Sequence, residues 1–252
     1  MRRRRFAAIV FALAVAIAPA AARTKIPDFI AGGPVELGAV IDGETLKLAD
    51  GREVRLVGID VPAAAPALAQ RSKDTLARLV AGKPLELRFA GSAQDRHGRV
   101  MAQLFAGGRW VQRELLSRGL ARVHGAADER LGLAEMLAAE DAARRARRGL
   151  WRSPLFAVRP AADAGADSGS FQIVTGTVAD AAPVAGGVYV NFGADWHNSF
   201  SLHIGGDALK LCRAAGLDPL ALTGARLRVR GFIDGTRRPT VEVTFPEQIE
   251  RL

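Results

Sequence analysis

Apolar and polar residues alternate from Val35 to Ile41 and again from Thr45 to Leu48; Asp50-Gly51 then marks a hairpin turn, and Val54, Leu56 and Val57 resume the pattern. A period of two sends every second side chain to one face, so this stretch predicts short strands with one buried side. Pro84 to Phe89 and Val100 to Phe105 read as two further strands. Helical spacing enters between and after them. Leu68, Leu76, Leu79 and Val80 recur on one face and stop at Gly82; Val111, Leu115 and Leu116 do the same before Gly119. A third helix is expected from about Glu129 to Arg148, its basic last turn and Gly149 suiting a helix C-terminus. Five short strands with three helices predict a mainly β, α+β fold built on a five-stranded barrel of the OB type, whose closure removes exposed edges.

The periodicity lapses over residues 157–170, which are rich in Ala, Gly, Asp and Ser and read as a linker. Strand patterns return at Phe171 to Val178, Val188 to Phe192 and Phe200 to Ile204, followed by a helix from about Asp207 to Ala215. Two more strands, Ala225 to Ile233 and Thr240 to Phe245, complete the pattern expected of a second, smaller OB-like β-barrel over residues 171–252. Arg226, Arg228 and Arg230 alternate with Leu227 and Val229, which puts three guanidiniums on one face of one strand. With Phe192, Trp196 and Phe200 as stacking surfaces, that face is a candidate site for single-stranded nucleic acid. An ordinary barrel strand with a solvated basic face, its aromatics in the core, fits the same residues.

Met1 to Arg5 is basic, Phe6 to Ala18 is apolar and Ala20-Ala21-Ala22 is an A-x-A site, the pattern of a secretory signal peptide cleaved after Ala22. The expected location is therefore exported, either periplasmic or secreted; an uncleaved anchor is the competing reading. Arg3-Arg4-Arg5-Phe6 also fits a loose twin-arginine pattern. Losing the four arginines of that segment takes the formal charge from +9 to +5, still basic and suited to polyanions. Cys212 is the single cysteine, so an internal disulfide is excluded. No later segment is long and apolar enough to predict a membrane span.

Chemistry concentrates in three short motifs. Val40-Ile41-Asp42-Gly43-Glu44-Thr45 and Val54-Arg55-Leu56-Val57-Gly58-Ile59-Asp60-Val61-Pro62 each carry a carboxylate beside an apolar run; Asp95-Arg96-His97-Gly98-Arg99 adds an arginine at a turn. Carboxylates suit a metal and guanidinium forks suit phosphate, the combination used for metal-assisted phosphodiester cleavage. The same groups also suit a structural ion-pair network. The histidines lack zinc spacing.

In this order the motifs resemble the thermonuclease (staphylococcal nuclease-like) family. The likeness covers about residues 34–154 and extends to Leu115-Leu116-x-x-Gly119-Leu120-Ala121-x-Val123 and Gly149-Leu150-Trp151-x-x-Pro154. It implies the staphylococcal nuclease fold for residues 34–156, with nuclease activity on DNA or RNA. It implies that Arg55 and Arg99 grip the scissile phosphate and stabilise its transition state, and that Glu44 and Asp60 are calcium ligands. Motifs in the second unit are similar to the tail of some bacterial exported members.

Two departures stand out. Where the family has a glutamate that positions or activates the attacking water, this chain has Ala63, and no acidic residue follows from Pro62 to Lys73. Where the family has tyrosines around the nucleotide, it has Gly125 and Ala127. Three readings stay open on the sequence: a nucleic-acid-binding protein with weak or lost hydrolysis, an active calcium-dependent nuclease using Glu44, Asp60, Arg55 and Arg99, or a protein-interaction module on a nuclease scaffold.

Overall fold

The structure is a computed structural model that describes residues 26–235 and 237–252; the expected signal segment lies outside the described residues. The first half opens with strands β1 (Ile30–Val35), β2 (Leu37–Val40), β3 (Thr45–Leu48), β4 (Glu53–Leu56) and β5 (Gly58–Asp60). Helix α1 (Pro66–Val80) precedes β6 (Leu85–Phe89), β7 (Val100–Ala106) and β8 (Arg109–Trp110). Helix α2 (Val111–Ser117), β9 (Arg122–His124) and α3 (Leu133–Arg145) follow. The second half contains β10 (Arg159–Pro160), β11 (Phe171–Thr177), β12 (Asp180–Val184), β13 (Gly187–Asn191) and β14 (Ser201–Gly205). Helix α4 (Gly206–Ala214), β15 (Arg226–Asp234), β16 (Thr240–Val243) and β17 (Ile249–Arg251) complete it.

This is a mixed α+β chain, but its strand ladders are open paths, not the closed barrels expected. The first sheet runs β1-β6-β7-β4-β3-β2 and the second β10-β11-β15-β16-β14-β13-β12. β1 and β2 stand at opposite ends of the first path and are separated in the chain only by Glu36, so chain continuity rather than a hydrogen-bonded ladder joins the ends. β5 and β9 form a small separate sheet, with Asp60 opposite Arg122 and Gly58 opposite His124.

The helices cover the first sheet with the residues their spacing placed on one face. Leu76, Leu79 and Val80 of α1 and Leu115 and Leu116 of α2 are buried with Leu46, Leu56, Leu87 and Leu104 from the strands. The third helix starts four residues later than its pattern predicts, because Gly132 sits at a φ of 88° and redirects the chain there. Gly119 and Gly149 explain their places in two separate motifs. Each has positive φ, and a Cβ on Gly119 would lie 2.2 Å from the Arg148 carbonyl oxygen, while one on Gly149 would lie 2.0 Å from that of Gly119. Only glycine allows so close a backbone crossing.

The expected linker is built into the second sheet. Arg159 pairs in register with Val174, residues 161–167 form a 3₁₀ turn with Ala164 fully buried, and Arg159 bridges to Asp167 at 3.0 Å. The two halves share core. Phe245 belongs to the first hydrophobic cluster, and Ile173 packs with Ala143, Leu150, Trp151 and Phe156. Among the described residues no helix is long and apolar enough to cross a membrane.

Candidate nuclease site

The site forms where β3, β4 and β5 meet the turn before β7. Antiparallel register puts Thr45 opposite Arg55, which brings Glu44 to the side of that arginine. Asp42 shapes the approach by accepting the Glu44 amide at 2.8 Å. Glu44 then uses both oxygens: Oε1 pairs with the Arg55 guanidinium, and Oε2 accepts the Val61 amide at 2.7 Å. That second bond ties the β2–β3 turn to the end of β5.

Arg99 is held by its own turn. The Asp95 amide bonds to the Arg99 carbonyl at 3.0 Å, and Gly98 supplies the positive φ, 77°, that lets the chain reverse. Asp95 Oδ1 accepts the His97 and Arg99 amides at 2.9 and 3.0 Å; Oδ2 accepts Arg99 Nε at 2.8 Å. Burial pushes the Asp95 carboxyl up, but the Arg99 side chain and these amides outweigh it and hold its pKa below the ordinary carboxylate value. The parallel pairing of β4 with β7 brings this turn beside Arg55. Burial lowers the Arg55 pKa; Asp42, Asp60 and Asp95 act against the shift and Arg99 reinforces it. The motifs separated in sequence thus share one electrostatic cluster, with two guanidiniums held by carboxylates.

Asp60 has a partner that sequence reading missed. Arg122, its cross-strand neighbour in β9, donates Nε to Asp60 Oδ2 at 2.7 Å and Nη1 to the Phe171 carbonyl at 3.0 Å. Sixty-two positions separate the pair, so only the β5–β9 ladder reveals it.

Calcium takes six to eight oxygens, carboxylates prominent among them. Here Glu44 has both oxygens committed, Asp60 Oδ2 is bonded to Arg122, and no group of three or more His, Cys, Asp or Glu placed to hold a metal occurs among the described residues. Glu44 therefore cannot turn an oxygen to calcium without releasing Arg55 or the Val61 amide. Ala63 is exposed just beyond β5, presenting a methyl group. A side chain at Gly125 would have to displace side-chain ends packed against it: a Cβ there would lie 2.6 Å from a Leu133 methyl and 3.3 Å from the Phe245 ring.

The arginine stripe of β15 does alternate as expected, but it does not face solvent. Arg230 is 2% exposed and bonded to Glu140 and Glu250; Arg228 pairs with Asp141 and Glu250. Only Arg226 of the three is exposed. The face packs against α3, so for Arg228 and Arg230 the proposed nucleic-acid contact is replaced by a junction between the two halves. Phe200 is core, as the ordinary-strand reading has it, whereas Trp196 is 49% exposed.

Residues 53–153 match the model of the family described as Staphylococcal nuclease homologue. A protein of Escherichia coli named Uncharacterized endonuclease is 32% identical over 117 residues, covering 44% of this chain and 72% of its own length.

The chain belongs to the staphylococcal nuclease family.

Other relatives extend the likeness. Staphylococcal-like nuclease CAN1 of Arabidopsis thaliana is 36% identical over 100 residues, 40% of this chain and 29% of that protein. Protein ParB of Escherichia coli is 32% identical over 145 residues, covering 50% and 75%. The chain spans less than a third of the length of the plant relatives it matches. The family match ends at residue 153, so most of the second half lies beyond it.

Proposed function

We propose that this staphylococcal nuclease family member binds single-stranded nucleic acid at the Arg55–Arg99 cluster and hydrolyses it slowly or not at all. The observation that carries the reading is the pairing of a retained guanidinium cluster with an exposed methyl group at position 63. Planar guanidiniums held by carboxylates are preorganised for phosphate oxygens. A water near the scissile bond finds no acceptor on Ala63, and both Glu44 oxygens are already engaged. Loss of a positioned base removes about two to four decades of rate. Supporting the partner class, family relatives carry the names nuclease and endonuclease.

The test is fluorescence anisotropy with a labelled single strand, alongside turnover of the same strand. The reading expects binding that weakens steeply with salt and slow turnover; rapid cleavage contradicts it. We also propose export, on the N-terminal pattern. N-terminal sequencing of envelope or secreted material should begin near Arg23, and an intact Met1 on membrane material contradicts it.

A further inference from the structure

A cavity of about 200 Å³ opens where the second half meets β9. His124, Phe171, Phe232 and Phe245 give it aromatic walls, and Glu242 and Thr244 give it a polar rim. Three of the rings make a corner: His124 and Phe171 have centroids 5.1 Å apart, Phe171 and Phe232 5.6 Å, and His124 and Phe232 6.1 Å. Phe171 is buried, but Phe232 directly across the ladder is 60% exposed. A large aromatic ring left open to solvent within such a corner offers a stacking face.

The corner is physically continuous with the nuclease site. Arg122 lies 4.5 Å above the Phe171 ring, bonds to the Phe171 carbonyl, and carries Asp60 on Nε. Asp60 in turn acts electrostatically on Arg55. Contacts therefore run from Asp60 through Arg122 to the aromatic walls, and Asp60 is coupled to the guanidinium cluster through its charge. Cationic groups beside an aromatic recess fit a ligand with an anionic backbone and flat, apolar-faced branches.

We propose that this recess takes an unpaired nucleobase, stacked on Phe232, from a strand whose phosphates lie on Arg55 and Arg99. The inference rests on the nucleic-acid reading and adds a base subsite built jointly by the two halves of the chain. The polar rim can meet the edge of the base: the Thr244 hydroxyl, just past β16, donates to Gln248 Oε1 at 3.1 Å and can still accept, and the Glu242 carboxylate, 57% exposed and bonded to His203 through Oε2, has Oε1 to accept with. A duplex hides both faces of its bases, so the recess selects for single strands.

The experiment uses the full chain and two labelled oligodeoxynucleotides of equal length, one with bases and one abasic. Phe232→Ala should weaken binding of the base-bearing strand by at least about fivefold while leaving the abasic strand unchanged, and Phe232→Trp should restore affinity. In the wild type, 2-aminopurine within the strand should lose fluorescence on binding, a measurement that does not depend on a variant folding. Undiminished fluorescence in the bound strand, or equal affinity of Phe232→Ala and wild type for bases, overturns the subsite and leaves the phosphate site standing. If neither strand binds at low salt, the subsite and the nucleic-acid reading fall together.

Discussion

Arg230 of β15 and Glu140 of α3 form a two-pronged ion pair, Nη2 to Oε2 at 2.8 Å and Nη1 to Oε1 at 3.2 Å, with both side chains essentially removed from water. Burial works against the Arg230 charge, but Glu140 and Glu250 outweigh it. Glu140 also accepts the Val123 amide at 2.7 Å, so the pair fixes β9, which carries Arg122 and His124. Arg230→Met should cost about 3–5 kcal/mol, because it leaves the buried Glu140 charge with the more distant Arg144, at 3.7 Å, as its remaining cation among the described residues. Adding Glu140→Leu should recover part of that loss, though the Val123 amide remains unpaired. Urea unfolding of the three variants checks this; a loss below about 1 kcal/mol for Arg230→Met would contradict it.

Glu129 supplies a pH dependence. Burial, with Asp128 beside it, pushes its pKa from 4.5 to about 7. The folded state therefore binds more protons than the unfolded state between those values, and stability falls as pH rises from about 4.5 to 7. Glu129→Gln should remove this slope and stabilise the protein at pH 8 by on the order of 2 kcal/mol. Melting curves at pH 5 and pH 8 are the check, and a substitution neutral at both values counts against it.

Arg99 stands partly exposed on its turn and, among the described residues, has Asp95 as its only charged neighbour at bonding distance. Arg99→Ala should leave folding intact, weaken strand binding, and reduce the slope of log affinity against log salt by about 0.7, the value of one phosphate contact on a single strand. An unchanged slope would place the phosphates elsewhere.

The Arg55–Arg99 cluster was legible in the sequence because its parts are local: Asp42–Glu44, Arg55–Asp60 and Asp95–Arg99 each lie on one turn or strand end. The β15 stripe was readable only as an alternation. A period of two says which side chains share a face and nothing about what covers it, and α3 covers this one with Glu140 and Asp141. Arg122 and the His124, Phe171 and Phe232 corner were out of reach for the same reason, since strand pairings between distant segments create them. Open ladders in place of closed barrels also depend on pairing that strand patterns alone do not specify. Residues 157–170 lack any period, yet Ala164 is buried, because small side chains pack without leaving one.

We propose that phosphate recognition survives at Arg55 and Arg99 while the base is missing at Ala63. The most direct test is single-strand turnover by the wild type and Ala63→Glu at matched binding saturation, with calcium and with chelator. Wild-type turnover should be slow and should rise at least about tenfold in Ala63→Glu under one of these conditions, a gain that adding Arg55→Ala abolishes. Fast wild-type cleavage that Ala63→Glu leaves unchanged would contradict this proposal.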